Sequence, residues 1–162
     1  MSTSERIRVT TQEQATEAVI ALLRSARRGV DILSPSLDPL LYDSSDAVDA
    51  IRNMIVNAGR YAQVRVLIAD AAGVAARGHR LLELSRQLST YVTIRRLAED
   101  DRHEDIAMLL VDRESFLHWG PGSAYAGHGQ WESRGTCRRH SQHFQDCWDR
   151  SEPDPALRRL HL

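Results

Sequence analysis

Residues 103–125 read HEDIAMLLVDRESFLHWGPGSAY, and this stretch decides the fold. It contains an unbroken apolar run that ends at Asp112, a polar turn over residues 113–115, a second apolar run, and a glycine-rich loop over residues 120–123. Short apolar runs bounded by turn residues are typical of buried strands. The stretch therefore predicts a buried strand, a tight turn, a return strand and a loop.

Helix and strand patterns alternate along the rest of the chain. A polar, flexible tail is expected over residues 1–10, followed by a helix that begins at Thr10 or Thr11 and ends at Gly29. The other predicted elements are strands over residues 30–34, 64–68 and 90–97, an ordered loop over 35–46, and helices that end at Gly59, follow a loop within 71–89, and cover 133–151. Strands joined through helices are expected to be parallel. The predicted fold class is α/β, with one mixed β-sheet flanked by α-helices.

The hairpin and the glycine-serine loop resemble one half of the phospholipase D superfamily. The signature of that superfamily is His, any residue, Lys, four residues, Asp, six residues and Gly-Ser, with Asn two positions after the Ser. When Asp112 is aligned with the signature Asp, Asp105 takes the position of the His and Ala107 that of the Lys. The order of the surrounding elements also matches, so the resemblance implies a phospholipase D-like domain over residues 11–162.

The resemblance implies that the catalytic groups of the family are absent here. Family members use a His as nucleophile, an opposing His as acid and a Lys to compensate phosphate charge. All 21 basic residues of this chain are Arg, so no shift of the alignment restores the Lys. A carboxylate at position 105 would also repel phosphate. We therefore predict no catalytic residue. The alternative is a phosphodiesterase or nuclease of altered mechanism that uses His103, reached through a β-bulge, or His118, with an Arg.

The same alignment predicts a residual ligand pocket. Its residues are Asp105, Asp112, Gly122, Ser123 and Tyr125, with Ser123 and Tyr125 near the positions of the family's Ser and Asn. Glycines allow a backbone to approach an anion closely. The alternative is a turn whose glycines only satisfy backbone geometry, with Asp112 capping the end of a strand.

The final helix carries soft side chains that suggest a metal site. Cys137, His140, His143 and Cys147 are suitable zinc ligands, but one straight helix spreads them over nearly three turns. We therefore favour a stripe that faces the core, and we predict no metal and no cofactor. The two cysteines are too far apart along the helix for a disulfide between them and are expected to be thiols.

Composition limits the partners. The chain has 162 residues and a formal net charge of -1, so it has no bulk attraction to nucleic acid or to an anionic membrane. Arginine pairs at 27–28, 95–96, 138–139 and 158–159 suit phosphate, but acidic residues are interspersed among them. A solvated, salt-bridged surface is the favoured interpretation, and nucleic-acid binding is the alternative.

These observations predict a catalytically inactive binding or scaffolding module. Active members of the superfamily join two halves, so the resemblance implies a homodimer with its interface near Asp105, Ser123 and residues 35–43. Residues 154–162, DPALRRLHL, resemble the end of a bacterial group of such domains, some fused to an acetyltransferase-like domain, which suggests a protein partner of acyltransferase type. The chain shows no long apolar stretch and its start has no apolar core of a signal peptide, so a bacterial cytoplasmic location is expected.

Overall fold

One seven-stranded sheet organises the computed structural model, which describes residues 5–103 and 105–158. The strands are β1 (Arg6–Val9), β2 (Gly29–Leu33), β3 (Gln63–Ile68), β4 (Val92–Arg96), β5 (Ala107–Val111), β6 (Ser115–Trp119) and β7 (Gly127–Gln130). The helices are α1 (Gln12–Ser25), α2 (Pro39–Tyr42), α3 (Ser45–Ala58), α4 (Ala71–Arg77), α5 (Arg80–Gln87) and α6 (Arg134–Arg150). Short 3₁₀ turns cover Gly59–Tyr61, Glu99–His103 and Pro155–Leu157. Within the described ranges, no helix is long and apolar enough to cross a membrane.

The sheet is mixed, as the sequence predicts. Its strand order is β1-β7-β6-β5-β2-β3-β4. Strands β2, β3 and β4 run parallel and are joined through α3 and then through α4 and α5, whereas the other neighbours are antiparallel. The stretch over residues 103–125 supplies the predicted hairpin of β5 and β6. The predicted α/β fold with helices flanking a mixed sheet is confirmed.

Alternation along the strands sends side chains to two separate cores. In β5, Leu109 and Val111 face the larger core, which also contains the buried side chains of α1, α3 and α5. Met108 and Leu110 face a smaller core that contains buried residues of α6. The sheet therefore separates the face covered by α6 from the face covered by α1, α3 and α5.

The edge strand β1 and its neighbour β7 are absent from the sequence prediction. Residues 6–9, predicted as part of a flexible tail, form β1 and pair with β7. Strand β7 reads GHGQ, which has neither alternation nor β-branched residues, so its pattern does not predict a strand. Gly129 is needed there because a Cβ at this position would overlap the carbonyl of Phe116 in β6. Both strands depend on a neighbouring backbone that lies far away in the sequence.

Helix boundaries also differ from the prediction. The Thr11 side chain caps α1 by accepting a hydrogen bond from the backbone N–H of Gln14 at 3.2 Å. The helix ends at Ser25, because Ala26 adopts an extended backbone, and Gly29 is the first residue of β2 rather than the helix stop. Short helices α2 and α4 form within segments that the pattern predicts as loops.

Candidate functional site

The residues aligned with the family's catalytic positions lie where β2 ends and β5 begins. We call Asp105, Ala107, Gly122, Ser123 and Tyr125 the register site. The Gly122 backbone N–H donates to the Asp105 carboxylate at 3.3 Å. The Ser123 hydroxyl donates at 2.7 Å to the carbonyl three residues earlier in its own loop. Groups of the register site that could contact a ligand are therefore engaged with one another or with the loop.

Tyr125 ties the glycine loop to the rest of the domain. Its carbonyl accepts a hydrogen bond from the indole of Trp119 at 3.1 Å, and its side chain packs against the larger core. Burial, followed by the negative charge of Asp38, raises the pKa of Tyr125, whose hydroxyl is hydrogen bonded to that carboxylate. The residue at the position of the family's Asn thus links the glycine loop to the segment before α2.

Asp112 follows β5, at the opposite end of this strand from Asp105, and it does not join the pocket predicted from the alignment. Its carboxylate accepts hydrogen bonds from the backbone N–H groups of Arg27, Arg28 and Gly29 at 2.9, 2.8 and 2.9 Å. The length of β5 separates it from Asp105 by roughly 20 Å, at about 3.3 Å per residue. Asp112 therefore acts as a cap that joins the β5–β6 turn to the segment before β2.

His118 faces away from the register site. In β6 it alternates with Leu117 and Trp119, which face the larger core, so its imidazole lies on the α6 side of the sheet. Its ring centroid is 4.7 Å from that of His140 and 5.5 Å from that of His128. This position does not serve the alternative mechanism in which His118 acts at the glycine loop. His103 ends a 3₁₀ turn, and its side chain lies outside the described part of the structure.

His118, His128 and His140 form a histidine cluster between β6, β7 and α6. Burial is the main cause that lowers the pKa of His118, and it lowers the pKa of His140 to about 4; neighbouring histidines and Arg139 act in the same direction. Within the cluster, His118 Nδ1 and His140 Nε2 are buried without a hydrogen-bond partner. The lowered pKa values favour neutral imidazoles at His118 and His140 in the folded protein.

Three residues of the predicted cysteine and histidine stripe of α6 face the core, whereas His143 is half-buried and lines a cavity on the outer side of the helix. Cys137, His140 and Cys147 are buried, and both cysteines are thiols. Burial raises the pKa of Cys137 to about 12, which keeps this thiol protonated. Among residues 5–103 and 105–158, no group of three or more His, Cys, Asp or Glu side chains is arranged to hold a metal ion.

The arginine pairs have different structural roles. Arg95 donates to the hydroxyl and the carbonyl of Ser151 at 2.7 and 2.6 Å, and Arg96 forms ion pairs with Glu152 and Asp154 at 3.1 and 3.2 Å. These two arginines hold the segment after α6 against β4. Of the last predicted pair, Arg158 is exposed, whereas position 159 lies outside the described residues.

The pairs 27–28 and 138–139 instead line cavities along the edge where β2 and β3 begin. A cavity of about 620 Å³ is lined by Arg27, Arg28, Gly29, Tyr61, Gln63, Asp112, Arg113, Glu114 and Arg134. A second cavity of about 450 Å³ shares Asp112 and Arg113 of the β5–β6 turn, and Arg134 of α6, with the first. Its other lining residues are Arg138, Ser141, Gln142 and Gln145. We call the surface formed by Arg27, Arg28, Tyr61, Arg113, Arg134 and Arg138 the arginine groove.

Sequence reasoning missed Arg113, Arg134 and Tyr61 as members of this surface. Arg113 falls in the predicted turn, and both Asp112 and Arg113 have positive φ angles, +54° and +57°. The signal that could have found Arg113 is the polar turn between two apolar runs, because positive φ angles in hairpin turns usually fall on Gly or Asn. An arginine in that turn is unexpected on conformational grounds alone.

One known protein family matches nearly the whole chain. The sequence model described as "Domain of unknown function (DUF7931)" matches residues 11–160. The chain belongs to the DUF7931 family. No curated protein sequence matches it.

Solved structures place the DUF7931 domain among phospholipase D-like folds. It superposes on Nuc from Salmonella typhimurium, a phospholipase D family member, with a TM-score of 0.59 and 14% identity, over 93% of this chain and 96% of Nuc. For NucT from Helicobacter pylori the TM-score is 0.58, with 13% identity, over 94% of this chain and 99% of NucT. These likenesses confirm the predicted phospholipase D-like fold.

A chromatin protein has the same fold. The archaeal protein TrmBL2, whose structure shows a novel mode of DNA binding, superposes with a TM-score of 0.70 and 13% identity over 93% of the DUF7931 domain. The domain spans 54% of that protein, about half of its length. The phospholipase D-like fold therefore occurs both in phospholipase D family members and in a DNA-binding chromatin protein.

Proposed function

We propose that this domain is a non-catalytic phospholipase D-like module that acts by binding. The observation that carries the proposal is the hydrogen bond from the Gly122 backbone N–H to the Asp105 carboxylate. A glycine-loop amide of this kind is suited to an anion. Here the protein's own carboxylate occupies that amide and adds a negative charge where a phosphate would have to approach.

The surrounding residues support the same conclusion. Ala107 replaces the family's Lys, and the chain contains no Lys that could take over its role. The imidazole of His118 lies on the other face of the sheet, packed in the histidine cluster. Phosphodiester transfer needs a nucleophile and a cation at the same phosphate, and the described side chains of the register site provide neither.

We expect no phosphodiesterase turnover above the buffer rate. Purified protein would be incubated with bis(4-nitrophenyl) phosphate and with labelled single-stranded and duplex DNA. Asp105→Asn removes the negative charge without adding a nucleophile, so it should also stay inactive. Turnover that follows the protein through purification and is lost in His103→Ala would overturn the proposal.

Assembly into a homodimer through the register-site edge is part of the proposal. The proposed contact would include Leu40 in α2, which is 56% exposed in the segment that Tyr125 holds through Asp38. Leu40→Asp is expected to convert dimer to monomer in sedimentation velocity. Val56→Asp, at a 75% exposed site on α3, is the matched control and should leave the dimer intact. A monomeric wild-type protein would contradict this prediction.

The resemblance supplies two further elements of the proposal. These are a bacterial cytoplasmic location and a protein partner of acyltransferase type. No metal, cofactor or membrane is required for the proposed role. Nucleic-acid binding is the second candidate function, and the arginine groove is the observation that favours it.

A further inference from the structure

We propose that the arginine groove binds single-stranded nucleic acid, with its arginines on the phosphates and Tyr61 stacked on a base. The inference rests on the proposed binding role of the domain. The groove lies at the other end of β5 from the register site. The inference therefore does not depend on the family's catalytic cleft. A catalytic assay and a binding assay can therefore fail independently.

The groove is continuous over three cavities. Asp112, Arg113 and Arg134 line both the cavity of about 620 Å³ and the cavity of about 450 Å³. A third cavity of about 580 Å³ shares Arg138 with the second and adds Arg139. A path lined by arginines thus runs from the start of β2, across the tip of the β5–β6 hairpin and along the first half of α6. An extended chain with regularly spaced negative charges fits such a path.

The acidic residues of the groove are already engaged. Asp112 accepts hydrogen bonds from three backbone N–H groups. Glu114 is paired with Arg27 at 3.3 Å and accepts from Arg134 Nε at 3.1 Å. Glu114 therefore compensates the charges of Arg27 and Arg134, and the uncompensated positive charge of the groove comes from Arg28, Arg113 and Arg138.

Arg28, Arg113 and Arg138 of the groove are exposed, as is Arg139 beside them on α6, and none of the four belongs to the ion pairs of Asp112 and Glu114 described above. Other arginines of the domain, such as Arg65, Arg96 and Arg150, are held in ion pairs. The chain has a formal net charge of -1, and Arg28, Arg113, Arg138 and Arg139 lie on one path along these three cavities. Local charge of this kind attracts phosphates even when the net charge of a protein does not.

Arg113 is placed in the groove by a conformation that arginine adopts only with strain. Its φ of +57° lies in the left-handed region, as does the +54° of Asp112. Glycine or asparagine would form this turn with less strain. The turn instead carries a long cationic side chain that lines two of the three cavities. Retaining strain at an exposed turn points to a role in binding.

Tyr61 distinguishes a nucleic acid from other polyanions. Its side chain is a large apolar group that is 61% exposed, and it lines the first cavity. The guanidinium carbons of Arg28 and Arg60 lie 5.9 and 4.9 Å from its ring centroid. An exposed aromatic ring beside arginines offers a stacking surface to an unpaired base, which a phosphopeptide or a lipid headgroup does not use. Bases in a duplex are already stacked, so the single strand is favoured.

The test is fluorescence anisotropy with a labelled oligo-dT of about 16 nucleotides, a length that covers the usual site sizes. Four phosphate contacts predict a slope of roughly -3 in a plot of log K against log salt concentration. Arg138→Glu should weaken binding about tenfold and make the slope shallower. Tyr61→Ala should weaken binding about tenfold, and Tyr61→Phe should retain it. Arg52→Glu, an exposed arginine on α3, is the matched control and should bind as the wild type does.

Arg113→Gly separates a binding role from a structural role. Glycine relieves the strain at a positive φ, so the melting temperature is expected to rise by roughly 3 °C. The same change removes a cation from the groove, so the affinity for oligo-dT should fall about fivefold. A residue kept only for the turn would show no loss of binding.

Three results would overturn the inference. One is an equal loss of affinity in Arg52→Glu and Arg138→Glu, which would indicate non-specific charge. Another is full binding by Tyr61→Ala together with equal competition by duplex DNA. The third is the absence of oligonucleotide binding while anionic vesicles or a phosphopeptide bind. Gel analysis of the oligonucleotide after incubation with the protein keeps the two proposals distinct. Cleavage would overturn the proposed non-catalytic function. An intact oligonucleotide that shows no binding in the anisotropy assay would overturn only the proposed binding by the arginine groove.

Discussion

Replacement of Asp31 by alanine is expected to lower the free energy of unfolding by about 4 kcal/mol, because it leaves a buried arginine without its counter-charge. Asp31 in β2 and Arg65 in β3 are opposite one another in the parallel ladder, and both residues are buried. Their contact is bidentate, with Nε–Oδ1 and Nη2–Oδ2 distances of 2.9 and 3.0 Å. The pair is well ordered because the third nitrogen of Arg65 donates to Gln145 at 2.8 Å.

The cost of breaking this pair exceeds its net contribution to stability. Both ions lose their hydration on folding, so a well-packed apolar replacement of the pair can be as stable as the original. We expect the double variant Asp31→Leu with Arg65→Met to recover most of the stability lost by Asp31→Ala. The packing of the Arg65 guanidinium over Phe144 and Trp148, at 5.1 and 5.3 Å, favours Met at that position.

Urea denaturation of the three proteins measures this prediction. The midpoint for Asp31→Ala should fall steeply, and the double variant should return close to the wild type. A loss of less than about 1 kcal/mol in Asp31→Ala would show that water reaches Arg65 and that the pair is not desolvated.

Acid should destabilise the protein through the histidine cluster, by about 2 kcal/mol between pH 6.5 and pH 4. In the folded protein His140 has a pKa lowered to about 4, whereas in the unfolded chain it titrates near the usual value of about 6.5. The unfolded state therefore binds more protons below pH 6.5. Stability is fully present well above pH 6.5, falls as the pH drops through the folded-state pKa of about 4, and levels off once the pH is well below that value.

The groups that face His140 add to the effect. His118 in β6 lies 4.7 Å from it between ring centroids, His128 in β7 lies 5.5 Å from His118, and His143 and Arg139 lie on its own helix. A proton on His140 would also lack an acceptor, because its Nε2 is buried without a hydrogen-bond partner in the described structure. Like charges and missing acceptors both oppose protonation of the folded state.

Chemical denaturation at pH 7.5, 6, 5 and 4.5 tests this prediction. His140→Leu keeps a similar volume without a titrating group and should flatten the pH dependence. His79 needs a separate control, because burial lowers its pKa too and its Nδ1 accepts the N–H of Leu81 at the start of α5. His79→Asn retains that helix cap. An unchanged pH slope in His140→Leu would place the acid sensitivity outside the cluster.

The register site shows how much of the candidate site the chain alone reveals. Alignment of Asp112 with the signature Asp puts Asp105 and Ala107 at the positions of the family's His and Lys, and this assignment stays a prediction. The prediction that Asp105 and Asp112 line one pocket is wrong, because these two residues lie at opposite ends of β5. An extended strand keeps its two ends far apart. The hydrogen bond between Asp105 and Gly122 depends on how the glycine loop folds back, which its composition does not specify.

The chain alone is enough to predict the α/β fold, the β5–β6 hairpin and the buried stripe of α6, and it contains no lysine. Each of these follows from a local pattern of apolar residues, turn residues or composition, which can be read over one or two elements. Strands β1 and β7 and the arginine groove were decided only by the tertiary structure. A short polar strand forms when a distant backbone supplies its hydrogen bonds. In the same way, Arg28, Arg113 and Arg138 become neighbours only because the sheet and α6 bring three separate segments to one edge.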